Sequence, residues 1–403
     1  MGHSTIDIAA REYAKRPADE TFDSPAAMLA AATHDREHSR EVTYNTRDLS
    51  VVAVDRTDHP VSIPGGFTRS TEVSATDTLQ LESPKGRASF THWSFGQLAR
   101  MVGAPAAYLR ELPPAIAADA LNFGLHDAAE HATDAKILVK ANGVAPIIRA
   151  CTSETYGRVW DAELYGATLE TLARDPQWQT PPTWDGKPAG AYRGDRDSFL
   201  ILVNGGSIVS DPSLRNAPQR AYTGSGSDIS ARDAGQDAMY RGLMIRNSEV
   251  GACSVTIDTI LFRYICGNHM LWGAMFDQRF RRRHVGDHAR RDAIRTIYSV
   301  ARKWAESPAS ADEAIIKGLI DREIAATRDA VIDELRNLGA TREQAGAAYD
   351  TAERTEAASP RSFWGVAQGL TRISQASGYQ DGRMELDQLA AAVLARGRKL
   401  VAA

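Results

Sequence analysis

The chain has 403 residues, 43% of them hydrophobic and 24% charged, with a formal net charge of −4. That balance suits a soluble globular protein of one large or two medium domains, and it argues against a surface coated overall with nucleic acid while leaving room for a local basic patch. No apolar run approaches the ~18 residues of a membrane helix, no apolar segment near the N-terminus suggests a secretory signal, and Cys151, Cys253 and Cys266 lie far apart, as expected for reduced thiols in a cytoplasm rather than a CxxC metal site.

Residues 1–40 are polar, charged and alanine-rich, which predicts a mobile arm with at most a short helix. Residues 41–90 hold short strand-like pieces such as Val51–Val54, broken by Pro60, Pro64 and Gly65-Gly66. A helix is expected from Ser94, with Ser94 as N-cap and Gln97 at capping-box spacing, stopped by Gly103 and Pro105. A second starts near Pro113-Pro114 and carries Ile116, Ala120 and Phe123 as its apolar positions. Ile137–Lys140 and Pro146–Arg149 flank Asn142-Gly143, a hairpin signal. Residues 161–174 have the helical period, 175–191 form a loop, and Phe199–Val203 is a buried strand closed by Asn204-Gly205-Gly206. From Ser210 to Asp237 the chain is mostly loop; its glycine-rich Thr223–Ser227 lacks the spacing and lysine of a phosphate-binding P-loop.

Arg241–Gly273 is the longest segment of strand character, with Leu243, Ile245, Val255, Ile257, Phe262 and Ile265 suited to a pleated, half-buried surface. Asn247, Ser248, Glu249 and Gly251 interrupt it, and Arg263, Cys266 and Asn268 mark a second break. Polar residues at such breaks are either turn chemistry that fixes strand register or a site.

After Gly273 the pattern is helical. Between Asp277 and Lys303 there are nine Arg or Lys against three Asp, a local charge of +6. Arg281, Arg282, Arg283, Arg290 and Arg291 crowd the first half. Arg291, Arg295, Tyr298 and Arg302 follow at spacings of 4, 3 and 4, one face of a helix, while Ile294, Ile297, Ala301 and Trp304 line another. Guanidinium forks match phosphate oxygens and an interleaved aromatic can stack a base, so this face is the candidate nucleic-acid site; the alternative is a solvated linker. Ala311–Leu338 has one long three-four stripe (Ile316, Leu319 or Ile320, Ile324, Val331, Leu335, Leu338) ended by Gly339, against which helices at 345–356 and 386–394 can pack, or through which copies of the chain can assemble.

Other chemistries carry less signal. Asp195, Asp197, Glu249 and Asp258 could assemble a two-metal nuclease centre, but their spacing matches no motif, and solvated loop carboxylates explain the first two. His92 is expected to be a core or cap histidine, and His269 beside Cys266 has no third partner for nucleophile activation. No cofactor motif is present.

Three segments resemble a family of plasmid- and phage-borne proteins catalogued as domain of unknown function 932: Asn247-Ser248-Glu249-Val250-Gly251 with Phe262–Asn268, Phe90–Leu98 running on to Leu109, and Arg149–Tyr156. The stretch Trp364–Thr371 also fits. Family members commonly have Gly after the last Asn, where this chain has His269. The resemblance assigns no activity; its plasmid and phage context implies DNA metabolism, as replication, recombination or defence. The expectation is an α+β protein: a mixed, largely antiparallel sheet of roughly six to eight strands within residues 41–275, flanked by helices from residues 94–174, followed by a helical region over 276–403 with a basic first helix. Its expected role is non-catalytic single-stranded DNA or RNA binding or annealing, as one copy or several. A metal-dependent nuclease, or an interaction protein without nucleic acid, is the alternative.

Overall fold

The computed structural model describes residues 19–54, 78–126, 133–141, 146–173, 175–181, 190–210, 212, 238–263, 268–271, 280–285, 288–376 and 380–401. The strands form two sheets rather than the one expected from the sequence. The first contains β2 (Ser39–Asn45), β3 (Ser50–Ala53), β4 (Leu79–Ser83), β5 (Gly86–Phe90), β6 (Asp134–Lys140) and β7 (Ile147–Ser153), in the order β2-β6-β7-β5-β4-β3. Among the described strands only β5 and β7 pair in parallel, and helices lie between them in the chain. The Asn-Gly hairpin is present as β6 paired with β7, although residues 142–145 lie outside the described residues.

The crossover begins with α2 (His92–Met101), α3 (Ala106–Leu109) and α4 (Pro114–His126). The cap of α2 is Thr91, not Ser94: Thr91 accepts from the Ser94 backbone, and Ser94 returns the bond as the third residue of a capping box. Both residues satisfy the same sequence preference, and the earlier one lies where the strand ends. On α4 the expected stripe faces outward, leaving Ile116 52% and Phe123 64% exposed, while Ala117, Ala118, Leu121 and Leu125 pack against Val51, Leu79 and Leu98. Small and large apolar residues share α4, so hydrophobic spacing alone could not choose the face.

The second sheet holds β1 (Glu20–Thr21), β8 (Trp178–Gln179), β9 (Ala191–Arg193), β10 (Ser198–Ser210), β11 (Ala238–Asn247), β12 (Val255–Arg263), β13 (Asn268–Met270) and β14 (Phe280–Arg282), all antiparallel. Of the strands within Arg241–Gly273, which the sequence placed at the middle of the sheet, β11 and β12 lie inside it and β13 ends its strand order. Asn204-Gly205-Gly206 does not close β10. It makes an irregularity within it, the register with β11 shifting between Val203 and Ile208. His269 lies in extended β13 opposite Phe262, so no left-handed turn falls on it. Cys266 lies outside the described residues, as do Thr223–Ser227.

Every residue of β12 is buried, because both faces of this sheet are covered. On one face Leu200, Leu243, Ile245, Val255 and Ile257 meet α1 (Pro25–Glu37), α5 (Asp161–Leu172) and α6 (His288–Ala305) through Met28, Leu164, Tyr165, Ala293 and Ile297. Residues 25–37 are therefore a docked helix rather than an arm, although residues 1–18 lie outside the described residues. The other face meets a bundle of α7 (Ala309–Asp321), α8 (Arg328–Asn337), α9 (Arg342–Thr355), α10 (Phe363–Ser374) and α11 (Gln380–Val401).

The single helix expected over 311–338 is split. Residues 322–327 are not helical, the Ile324 amide donates to Arg361 O at 2.7 Å, and Thr327 caps α8 by accepting from Ala330 N. The apolar period survives the break, so Ile316, Leu319, Val331 and Leu335 are all fully buried within the bundle. Gly339 does end α8, at φ +108°. Two buried arginines bind the bundle to the sheet. Arg241 donates to Asp312 and Ser307 O and lies over the Trp304 ring, and Arg263 donates to Glu356 and Gln368. The helical region starts at α6 rather than at 276, since β14 belongs to the sheet.

Candidate functional site

The Asn247–Gly251 segment turns β11 into β12. Ser248 Oγ accepts from Ala252 N at 2.8 Å and Val250 N at 3.3 Å while donating to Arg196 O at 2.6 Å. Gly251 takes φ +82°, which a side chain would strain. The turn reading of these residues therefore holds, and the turn also reaches far beyond itself. Asn247, Ser248 and Glu249 are all buried.

Glu249 Oε1 accepts from the Asp161 amide at 2.9 Å and Oε2 from Arg149 Nη1 at 2.8 Å. Asp161 is the first residue of α5, whose cap residue Trp160 offers no side-chain bond, so Glu249 supplies from another element the negative charge that a helix start requires. Asp161 in turn accepts from Ser198 Oγ and from Asn247 Nδ2, both at 2.7 Å, with Arg193 Nε at 3.6 Å. Arg193 continues to Asp35 at 2.9 Å, and Asp35 to Lys140 at 2.5 Å. Burial and the charge of Glu249 raise the Asp161 carboxyl above its ordinary range, against the pull of Arg193. Burial opposes ionisation of Asp35, but Lys140 and Arg193 outweigh it and hold that carboxyl below the ordinary range.

Three cations and three carboxylates thus form one chain from β6 to β7 through α1, β9, α5 and the turn, with Asp161 and Glu249 adjacent in it, and it joins both sheets. Each charge has a partner, which is the arrangement of a clasp rather than of a poised acid and base. Sequence reasoning singled out Glu249 and Asn247 but missed Asp161 and Arg193, whose partners lie tens of residues away. A charged residue at the start of a helix lacking its own cap was the available signal.

The carboxylates considered for a metal centre are dispersed among other partners. Asp197 accepts from Arg246, Asp195 lies 3.8 Å from Arg196, Glu249 belongs to the clasp, and Asp258 is buried on β12. Among the described residues no group of three or more His, Cys, Asp or Glu is placed to hold a metal ion. Burial pushes both the Cys151 and Cys253 thiols up to about 12, so neither is a ready thiolate.

The basic residues divide between two elements. Arg281 and Arg282 lie on β14 and Arg283 just after it, all exposed; Arg291, Arg295, Tyr298 and Arg302 project from one exposed face of α6. Arg290 lies within α6, with its side chain outside the description. The opposite face of α6, Ala293, Ile297 and Ala301, is fully buried on the sheet. Arg282 bonds Asp292 of α6 at 3.1 Å, so the two basic groups share one surface. His284 anchors the segment between them: it is buried, stacks on Tyr156 at 5.1 Å, and lies 3.3 Å from Gly157 O. Burial, with the nearby Arg158 charge, lowers its pKa to about 4, so it is neutral at pH 7 and adds nothing to the basic charge. Tyr298 is half exposed and, with Ser299, Arg302, Lys303, Glu306 and Ser307, lines an open depression of about 570 Å³. Arg263, in contrast, is spent inside on Glu356, and the Asn268 side chain is not described.

A two-sheet α+β body with a buried charge clasp, a basic helix on one face and a helical bundle on the other is the class of protein these features define. Residues 198–383 match the family described as "Domain of unknown function (DUF932)". The matched span includes the Asn247–Gly251 turn, the basic helix and Trp364–Thr371, whereas Phe90–Leu109 and Arg149–Tyr156 precede it. No curated protein and no solved structure matches the chain. Among the described residues no helix is long and apolar enough to cross a membrane.

Proposed function

We propose that this protein binds single-stranded nucleic acid without cleaving it, along the surface formed by β14 and α6, and that it acts in the DNA metabolism of a mobile element within the cytoplasm, as an annealing protein of one or several copies. The observation that carries this reading is the joining of Arg281–Arg283 to the Arg291, Arg295 and Arg302 face, with Tyr298 exposed among them. Arginine forks engage phosphates whatever the sequence, and an exposed ring adds stacking that only an unpaired base can use. The rest of the chain is net acidic, so a polyanion is favoured here over the remaining surface taken as a whole.

The test is a mobility shift with a labelled single-stranded oligonucleotide, with and without divalent metal. Retarded, intact oligonucleotide under both conditions is the expected result. Metal-dependent cleavage would replace this reading with the nuclease one. A folded protein with no measurable affinity at low salt would remove nucleic acid from the account.

A further inference from the structure

A cavity of about 590 Å³ opens between α2, the turn that follows it and the loop joining β9 to β10. His92, Trp93, Gln97 and Arg100 line it from α2, Arg110 from the end of α3, and Arg196 from the loop; none of its lining residues is acidic. Three guanidinium groups therefore share one concavity. An anion between them meets several guanidinium donors at once.

The walls are held in place by the segments that stood out in the sequence. Trp93 Nε1 and Gln97 Nε2 donate to Val250 O at 3.0 and 2.7 Å, and Gln97 Oε1 accepts from Cys151 N at 3.0 Å. The carbonyl of Arg196 is the acceptor for Ser248 Oγ, and its guanidinium lies 5.2 Å over the Trp93 ring. Arg110 donates to His92 O at 3.0 Å and lies 5.5 Å over Phe95. Asp195 and Asp381 pair with Arg196 at 3.8 and 4.0 Å, beyond the length of short charge-assisted bonds, so a phosphate competes with both for its guanidinium. Arg196 and Arg110 are thus stacked and oriented before any ligand arrives, and Arg100 is exposed at the rim.

We infer that this cavity is a binding site for the phosphate groups of a small phosphorylated ligand of nucleotide size. Arginine is the side chain whose fork fits phosphate oxygens in pairs, and the volume lies within the range of about 300–1,000 Å³ that such ligands occupy.

Calorimetric titration with inorganic pyrophosphate at low salt tests the inference on the full chain. Pyrophosphate should bind, and Arg100→Gln combined with Arg196→Gln should weaken it by roughly tenfold or more. Nucleoside diphosphates that bind more tightly than pyrophosphate would assign the rest of the cavity to a nucleoside. A 5′-phosphorylated oligonucleotide that displaces pyrophosphate, where its 5′-hydroxyl counterpart does not, would assign the phosphate to a strand end. No heat with pyrophosphate, or equal binding by the double variant with an unchanged melting profile, would overturn the inference. Arg291→Ala and Arg295→Ala should not alter the pyrophosphate titration, so this site and the α6 face can fail separately.

Discussion

The double substitution of Arg291 and Arg295 by alanine tests the basic face most directly. Both side chains are exposed on α6, so their removal opens no cavity, and the change in stability should stay within about 0.5 kcal/mol. Counting one phosphate each for Arg281, Arg283, Arg291, Arg295 and Arg302, log affinity for a single strand should fall against log salt with a slope of about 3.5. Arg302 must share or release Glu306, 2.8 Å away, but an exposed pair of this kind is worth only about 0–1 kcal/mol. Arg282 is left out of the count because it already holds Asp292. A fourfold rise in salt should then weaken binding by roughly 130-fold in the parent and roughly 20-fold in the double variant, whose slope falls to about 2.1. Fluorescence anisotropy with a labelled homopolymer across a salt series reads both values. Arg328→Ala, which removes an exposed arginine paired with Asp350 on a different helix, is the control and should leave the slope alone. An unchanged slope in the double variant would show that the α6 arginines are a solvated face and would refute the phosphate reasoning.

Tyr298→Ala should weaken single-strand binding by about 1–3 kcal/mol and duplex binding by less, in the same anisotropy assay. Glu249→Ala leaves Arg149 and the Asp161 amide unmatched inside the protein, so chemical denaturation should show a loss of about 3–5 kcal/mol; Glu249→Gln should lose less, since it keeps an acceptor while removing a charge that disfavours ionised Asp161. His284 has its pKa depressed from 6.5 to about 4, so its stabilising contribution is full above pH 6.5 and is lost as pH falls towards 4, by at most about 3 kcal/mol. The raised Asp161 carboxyl acts in the opposite sense, because its protonation favours the fold. His284→Gln should therefore flatten the acid side of the stability profile, and an unchanged profile would show that His284 does not govern it.

What the sequence made legible had local causes. The Asn142-Gly143 hairpin, the strands of Arg241–Gly273 and the arginine face of α6 each follow from spacing within a few residues. The split at 322–327 was hidden because the apolar period continues through it, and what breaks the helix is the bond from Ile324 to Arg361, supplied from far along the chain. The division into two sheets was hidden likewise: β5 pairs with β7 across the entire helical crossover, which no short pattern reports. Arg281 and Arg282 looked helical by proximity to the basic helix, yet pairing of Phe280–Arg282 with Val255–Ile257 draws them into the sheet. Asp161 escaped notice because nothing near it in sequence needs it; Ser198 and Asn247 do.

The clasp also bears on the order in which the molecule can assemble. Trp93, Gln97 and Arg149 belong to the first sheet and its helix, yet their partners, Val250 and Glu249, leave the ribosome about a hundred residues or more later. Until the turn arrives, Arg149 and the two donors of α2 have only water as partners, and closing such distant contacts is the slow part of folding. Chains halted before the β11–β12 turn should therefore remain loose and protease-sensitive, and release of a few further tens of residues should convert them together, early sheet and late sheet in a single step.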